Sequence, residues 1–147
     1  MNKSSEAKEK FLEGYACSQA VFSPFADQLG VDELTALKIS SMFAGGMRLG
    51  ETCGAVTGAL MALGLKFSTD SCQKLDDRKV TYKFAEEFYA RFLQKHNSLK
   101  CKELMGVDIS TPEGKAEAEI KDTHHTVCPV IVKDAAEILE EMLGRSN

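Results

Sequence analysis

Gly45–Phe67 reads GGMRLGETCGAVTGALMALGLKF, and the rest of the chain is organised around it. A glycine-rich loop opens the stretch, Cys53 stands where a helix should begin, and the segment beyond is the most apolar in the sequence. From Cys53 to Leu65 there is no charged residue, but the run is only 13 residues long, short of the about 20 a membrane span requires. The reading is therefore a buried helix at the centre of a small soluble domain. On a helical wheel Gly54, Gly58, Met61, Ala62 and Leu65 fall on one side, and Val56, Leu60, Leu63 and Phe67 on the other. A helix that is apolar all round is surrounded by other helices, and its glycines and alanines let a neighbour's backbone approach closely. Cys53, Thr57 and Gly64 lie on a stripe between the two faces, which puts a thiol at the mouth of the core.

The flanking sequence is helical in pattern. With 147 residues the chain is one domain, large enough to bury a core without staples. A first helix is expected from about Ser4 or Ser5 to Leu12, with Phe11, Leu12 and Tyr15 turned inward and Gly14 ending it. Ala20, Val21, Phe25 and Leu29 recur at helical spacing after Cys17; Pro24 should bend or divide that helix, and Gly30 should end it. Asp32 caps a third helix carrying Leu34, Leu37, Ile39, Met42 and Phe43. Beyond Phe67, a long helix from about Cys72 to His96 carries Val80, Phe84, Phe88 and Phe92 as packing surface. Ser98 marks a short helix containing Cys101, Leu104 and Met105, ended by Gly106. Thr111 and Pro112 start a charged surface helix. A last helix follows Cys128-Pro129, with Ile131, Ala135, Ile138 and Met142 inward. No strand-like alternation, repeat or linker interrupts this series. The expected fold is all-α, a single-domain bundle of about six to seven helices around a buried Gly/Ala-rich central helix.

Charge and composition narrow the function. The 18 basic and 22 acidic residues leave a net charge of −4. There is no basic patch of the kind nucleic-acid binding needs, so no nucleic-acid partner is expected. The polar start MNKSSEAKEKFLEG lacks the apolar core of a secretory signal, so the expected location is cytoplasmic, without membrane insertion. Gly45, Gly46 and Gly50 do not make a phosphate loop, since the lysine-serine/threonine ending and the preceding strand are missing. Their expected job is to let the backbone pass close to Cys53.

In such a chain, five cysteines point to redox chemistry or metal binding ahead of a disulfide framework, although free cysteine also packs as a small hydrophobe. All five fall near an expected helix start: Cys17 after Gly14, Cys53 after Gly50, Cys72 after Asp70-Ser71, Cys101 after Ser98, and Cys128 before Pro129. Unpaired N–H groups and a partial positive charge at helix N-termini favour thiolate over thiol. There is no CxxC or CxxCH, so a shared site must be assembled by the tertiary fold. His124 and His125 precede Cys128; neighbours on a helix diverge by about 100°, so at most one would face a site there, and a surface role for both is the simpler expectation. His96 suits the C-terminal dipole of the long helix.

The segment CGAVTG at Cys53–Gly58, with one cysteine well before it and two after, resembles the family named for its C_GCAxxG_C_C pattern, whose members are described as redox-active. The likeness runs from about Cys17 through the central stretch to CKELMGVDIS and CPVIVKDAAEILEEML. By position it implies Cys17, Cys53, Cys101 and Cys128 as the site cysteines and leaves Cys72 outside. It implies redox activity without naming a reaction. A related domain accompanies covalently bound haem in some anaerobe cytochromes; with no CxxCH here, the haem does not carry over.

Two classes of function follow. In the first, the four thiols converge on one end of the bundle as reversible disulfide pairs or as ligands of an iron–sulfur cluster, making the chain an oxidoreductase or electron carrier for an unidentified redox partner. In the second they hold a structural zinc ion without turnover. In either case the N–H groups of Gly45, Gly46, Gly50 and Gly54 are candidates to hydrogen-bond a bound cluster or substrate. Cys53, beside a flexible glycine loop, is the expected nucleophile or first ligand.

Overall fold

The structure, a computed structural model that describes residues 2–145, is all-α. Its helices are α1 (Lys3–Glu13), α2 (Cys17–Ala26), α3 (Glu33–Ser40), α4 (Gly54–Phe67), α5 (Leu75–Lys95), α6 (Cys101–Met105), α7 (Pro112–Lys121), α8 (Thr123–Thr126) and α9 (Cys128–Leu143). Seven of these have eight residues or more, and the two shorter ones, α6 and α8, carry the chain between them. The expected punctuation is present. Gly14 and Gly30 end their helices in the left-handed region, at φ 114° and 87°. The Asp32 carboxylate accepts the Thr35 N–H at 2.9 Å, and the Thr111 hydroxyl accepts the Gly114 N–H at 2.9 Å ahead of Pro112. Pro24 sits in the last turn of α2, which tightens into a 3-10 turn over Asp27–Leu29.

Helix α4 is sandwiched between α2 and α9, with α5 along its outer flank. Its glycines decide how close α2 comes. A Cβ on Gly58 would stand 2.5 Å from the Ser18 carbonyl oxygen, and one on Gly54 would overlap Cys17 Sγ. The two backbones therefore meet where each helix begins, and Cys17 is delivered beside Cys53. Val56, Ala59 and Leu63 fill the opposite side of α4, and Phe67 stacks on Phe84 of α5 with ring centroids 3.8 Å apart. Phe88 and Phe92 are fully buried; each such side chain contributes about 1.5–3 kcal/mol of transfer free energy. Helix α9 presents Ile131, Ala135, Ile138 and Met142 to this core, as its spacing predicts.

Several apolar residues expected inside lie outside. Leu34, Ile39 and Met42 are exposed, because α3 docks through small and polar groups. Ala36 and Ser40 are fully buried, Ser18 Oγ donates to the Ser40 carbonyl at 2.7 Å, and Gln19 Nε2 donates to the Leu37 carbonyl at 2.9 Å. Val80 is exposed too, since the first turns of α5 run past the end of the core. Leu65 is exposed and nothing approaches Gly64, so α4 is enclosed over its N-terminal turns and partly bare at its end. Leu12 and Tyr15 are only partly covered because they form the wall of a cavity.

Among the described residues there is no strand. One isolated antiparallel bridge joins Thr52 to Lys100, with Cys53 N–H donating to the Leu99 carbonyl at 2.7 Å and Cys101 N–H to the Glu51 carbonyl at 2.6 Å. No helix among them is long and apolar enough to cross a membrane.

Candidate functional site

Cys17, Cys53, Cys101 and Cys128 all line one cavity of about 480 Å³. Cys17, Cys101 and Cys128 are the first residues of α2, α6 and α9, and Cys53 is the N-cap of α4. The fold thus gathers four helix starts widely spaced in the chain. Cys17 and Cys53 are within hydrogen-bonding reach of each other. Cys101 lies on a smaller apolar cluster with Met105, Val107, Ile109 and Ala118, against which Cys128 packs. All five cysteines are free thiols. Cys72 is exposed in the turn before α5, and does not line the cavity. Helix α5 begins at Leu75, so the helix start expected at Cys72 falls three residues later.

The electrostatics separate the pair. The Cys17 thiol is lowered to about 7 from its ordinary 9.0, first by the hydrogen bond from Cys53 and then by the backbone N–H groups of Gly45, Ser18 and Gly54, which together outweigh burial. Those N–H groups come from the first turns of α2 and α4 and from the glycine loop, so an anion there meets two helix N-termini. Cys53 is pushed well above 9.0, first because its S–H is engaged as the donor to Cys17 and then by burial. Cys53 is only 7% exposed, whereas Cys17 is half-buried. Within the pair the lowered thiol is thus Cys17, which is also the more exposed of the two. Burial pushes Cys101 up to about 11 and Cys128 up to about 12, and the negative charge on Cys17 adds to both. A helix N-terminus lowers a thiol only where its N–H groups reach the sulfur, and that condition is strongest at Cys17.

The glycines divide the work. Gly45 and Gly54 bring their N–H groups to Cys17, while Gly46 and Gly50 shape the loop. Gly45, Gly46, Met47 and Arg48 lie in succession at φ 60–63°, a left-handed turn closed by Glu51 N–H donating to the Gly46 carbonyl at 3.2 Å. Met47 and Arg48 hold that conformation at a cost of about 1–2 kcal/mol each. A side chain at Gly46 would run into the Glu51 backbone, and one at Gly50 would stand 2.8 Å from Asp108 Oδ1.

Arg48 is a site residue that pattern reading passes over. A Cβ at Gly45 would lie 2.7 Å from Arg48 Nη1, so the guanidinium folds back over Gly45 at the cavity wall. Its place between the glycines of GGMRLG, as the one cation of that loop, is the sequence signal that marks it. His124 and His125 are exposed, as expected, yet both also reach the cavity rim. His125 Nδ1 pairs with Asp122 Oδ1 at 2.6 Å. His96 caps α5 and pairs with Asp134 Oδ2 at 2.9 Å, away from the thiols.

Among the described residues no three His, Cys, Asp or Glu side chains stand close enough together to hold one metal ion. As arranged, the sulfurs form a close pair with two flanking thiols, and a four-sulfur ligand set for zinc or an iron–sulfur cluster would need all four drawn inward.

No curated protein and no solved structure matches the chain. A family model described as "Putative redox-active protein (C_GCAxxG_C_C)" matches residues 15–142, a span that includes all four cavity cysteines and the two glycines, Gly45 and Gly54, whose N–H groups lower the Cys17 thiol. The chain belongs to the C_GCAxxG_C_C family.

Proposed function

We propose that this chain is a thiol–disulfide redox protein in which Cys17 attacks and Cys53 resolves. The observation that supports this reading is the placement of Cys17 beside Cys53 on the wall of a cavity, with its thiol lowered to about 7 by the Cys53 S–H and by backbone N–H groups. Thiolate is the attacking species in disulfide exchange, and a nucleophile with a pKa near the ambient pH is the most effective one.

In the forward direction Cys17 Sγ attacks one sulfur of an oxidised disulfide. A mixed disulfide forms and the other sulfur leaves as a thiolate. The hydrogen bond that held the Cys53 proton on its sulfur is then gone, because Cys17 no longer carries charge. Cys53 gives its proton to the departed thiolate or to water and attacks Cys17 Sγ, releasing the second thiol. The substrate disulfide gains two electrons from the Cys17–Cys53 pair; one proton comes from Cys53, and the second leaving thiolate takes its proton from water. An external dithiol resets the pair by the reverse steps. Cys101 and Cys128, held protonated by burial, line the same cavity and complete the site as thiols available to a second exchange.

The test is anaerobic purification with thiol, iron, sulfide and zinc counts and an absorption spectrum on one sample, followed by mild oxidation and peptide mapping. Thiols lost in pairs, with a Cys17–Cys53 linked peptide, are expected. Matching iron and sulfide with visible absorbance would replace this reading with a cluster, and one zinc with a featureless spectrum would replace it with a structural ion. Five unreactive thiols without metal would leave it no basis.

A further inference from the structure

The cavity carries a charge pattern at odds with the chain as a whole. The protein has 22 acidic and 18 basic residues, yet among the described residues no Asp or Glu lines the cavity, while Arg48, His124 and His125 do. Two carboxylates stand beside the lining residues and are already engaged. Asp108 accepts the Ser110 N–H at 3.0 Å and its hydroxyl at 2.5 Å, and Asp122 is paired with His125. Arg48 has no carboxylate partner among the described residues and is held at the wall by a strained backbone. The remaining wall is apolar, with Phe11, Leu12, Leu104, Met105, Ile131 and Val132. A volume of about 480 Å³ is in the range of small-molecule sites, where apolar walls hold the body of a ligand and a few polar groups orient it.

We infer that the cavity admits a small, anionic disulfide with an apolar body, its carboxylate or similar group set against Arg48 and its sulfur–sulfur bond against Cys17. This rests on the thiol-exchange reading above and adds the class of substrate to it. Recessed between α1, α9 and the glycine loop, the cavity accommodates a free small molecule. Turnover is the same balanced exchange: the incoming S–S bond breaks, Cys17–Cys53 forms, and two small sulfur products depart, one with the Cys53 proton and the other as a thiolate protonated by water according to its own pKa. Arg48 takes no part in bond making. It is a positioning residue, and its contribution is in selecting and orienting charge.

The test compares two aromatic disulfide probes of similar size, dithiobis(nitrobenzoate), which is dianionic, and dithiodipyridine, which is neutral. Each rate with Cys17 is measured in a Cys72→Ser background and divided by the rate of the same probe with an unstructured cysteine peptide. The expected result is an anionic-over-neutral preference of about tenfold or more at low ionic strength, eroding as salt is added. Arg48→Gln should remove most of that preference, and Arg48→Lys, which keeps the charge, should restore part of it. A normalised ratio near one in the native sequence, or a preference unchanged in Arg48→Gln, overturns the inference. If both probes still yield the Cys17–Cys53 disulfide in that case, thiol exchange stands and only the anion selectivity falls. Failure of both probes to link the pair sinks both.

Discussion

Cys53→Ala separates the two sources of the Cys17 anion. The thiol is lowered from 9.0 to about 7 despite burial, which acts the other way. The Cys53 S–H is the largest contributor, so its removal should raise the midpoint by about one pH unit or more, even with the Gly45, Ser18 and Gly54 N–H groups still in place. A group with pKa about 7 is about half thiolate at neutral pH, and one restored to 9.0 is about 1% thiolate. Alkylation of Cys17 by iodoacetamide, followed from low to high pH in a Cys72→Ser background with peptide readout, should rise through a midpoint near 7 in the native pair. In Cys53→Ala the rise should come later, with the rate at neutral pH down about fivefold or more. Cys53→Ser keeps a hydroxyl donor and should fall between the two. A native midpoint at the ordinary thiol value, or one that Cys53→Ala does not move, would refute the assignment of Cys17 as the held anion.

Gly58→Ala sets a new methyl against the Ser18 carbonyl at 2.5 Å, so α2 must shift or α4 must bend. A loss of about 1–3 kcal/mol in denaturant unfolding is expected, with slower Cys17 alkylation because the same contact aligns the pair. Cys72→Ser should leave thiol pairing on oxidation intact, read by mapping of the Cys17–Cys53 peptide. Met47→Gly releases a side chain from the left-handed region at φ 60° and should leave stability unchanged or raised by up to about 1 kcal/mol, measured by thermal unfolding.

Local chemistry made much of this molecule legible. The stops at Gly14 and Gly30, the caps at Asp32 and Thr111, and the uncharged run of α4 each depend on neighbours a few residues away, and they fell where the sequence places them. The spacing of Gly54 and Gly58 announced a close approach, and α2 makes it. Which thiol holds the charge was not legible, because it depends on N–H groups from two helices and a loop meeting at one sulfur. The outward placement of Leu34, Ile39 and Met42 was hidden for a related reason. Their pattern is that of any amphipathic helix, and only the polar docking of Ser18 and Gln19 onto α3 shows which side faces the core. The freedom of the cavity from carboxylates is likewise a property of a surface assembled from distant segments.

The paired backbone between residues 51–53 and 99–101 ties two of the thiol-bearing helices into one mechanical piece. Cys53 and Cys101 each donate a main-chain N–H to the other's segment, at 2.7 and 2.6 Å, so α4 and α6 share a clasp at their origins. A displacement of Cys53 would therefore be shared with Cys101, which rests on the small apolar cluster of Met105, Val107, Ile109 and Ala118. The two walls of the cavity are thus joined through main chain as well as through packing.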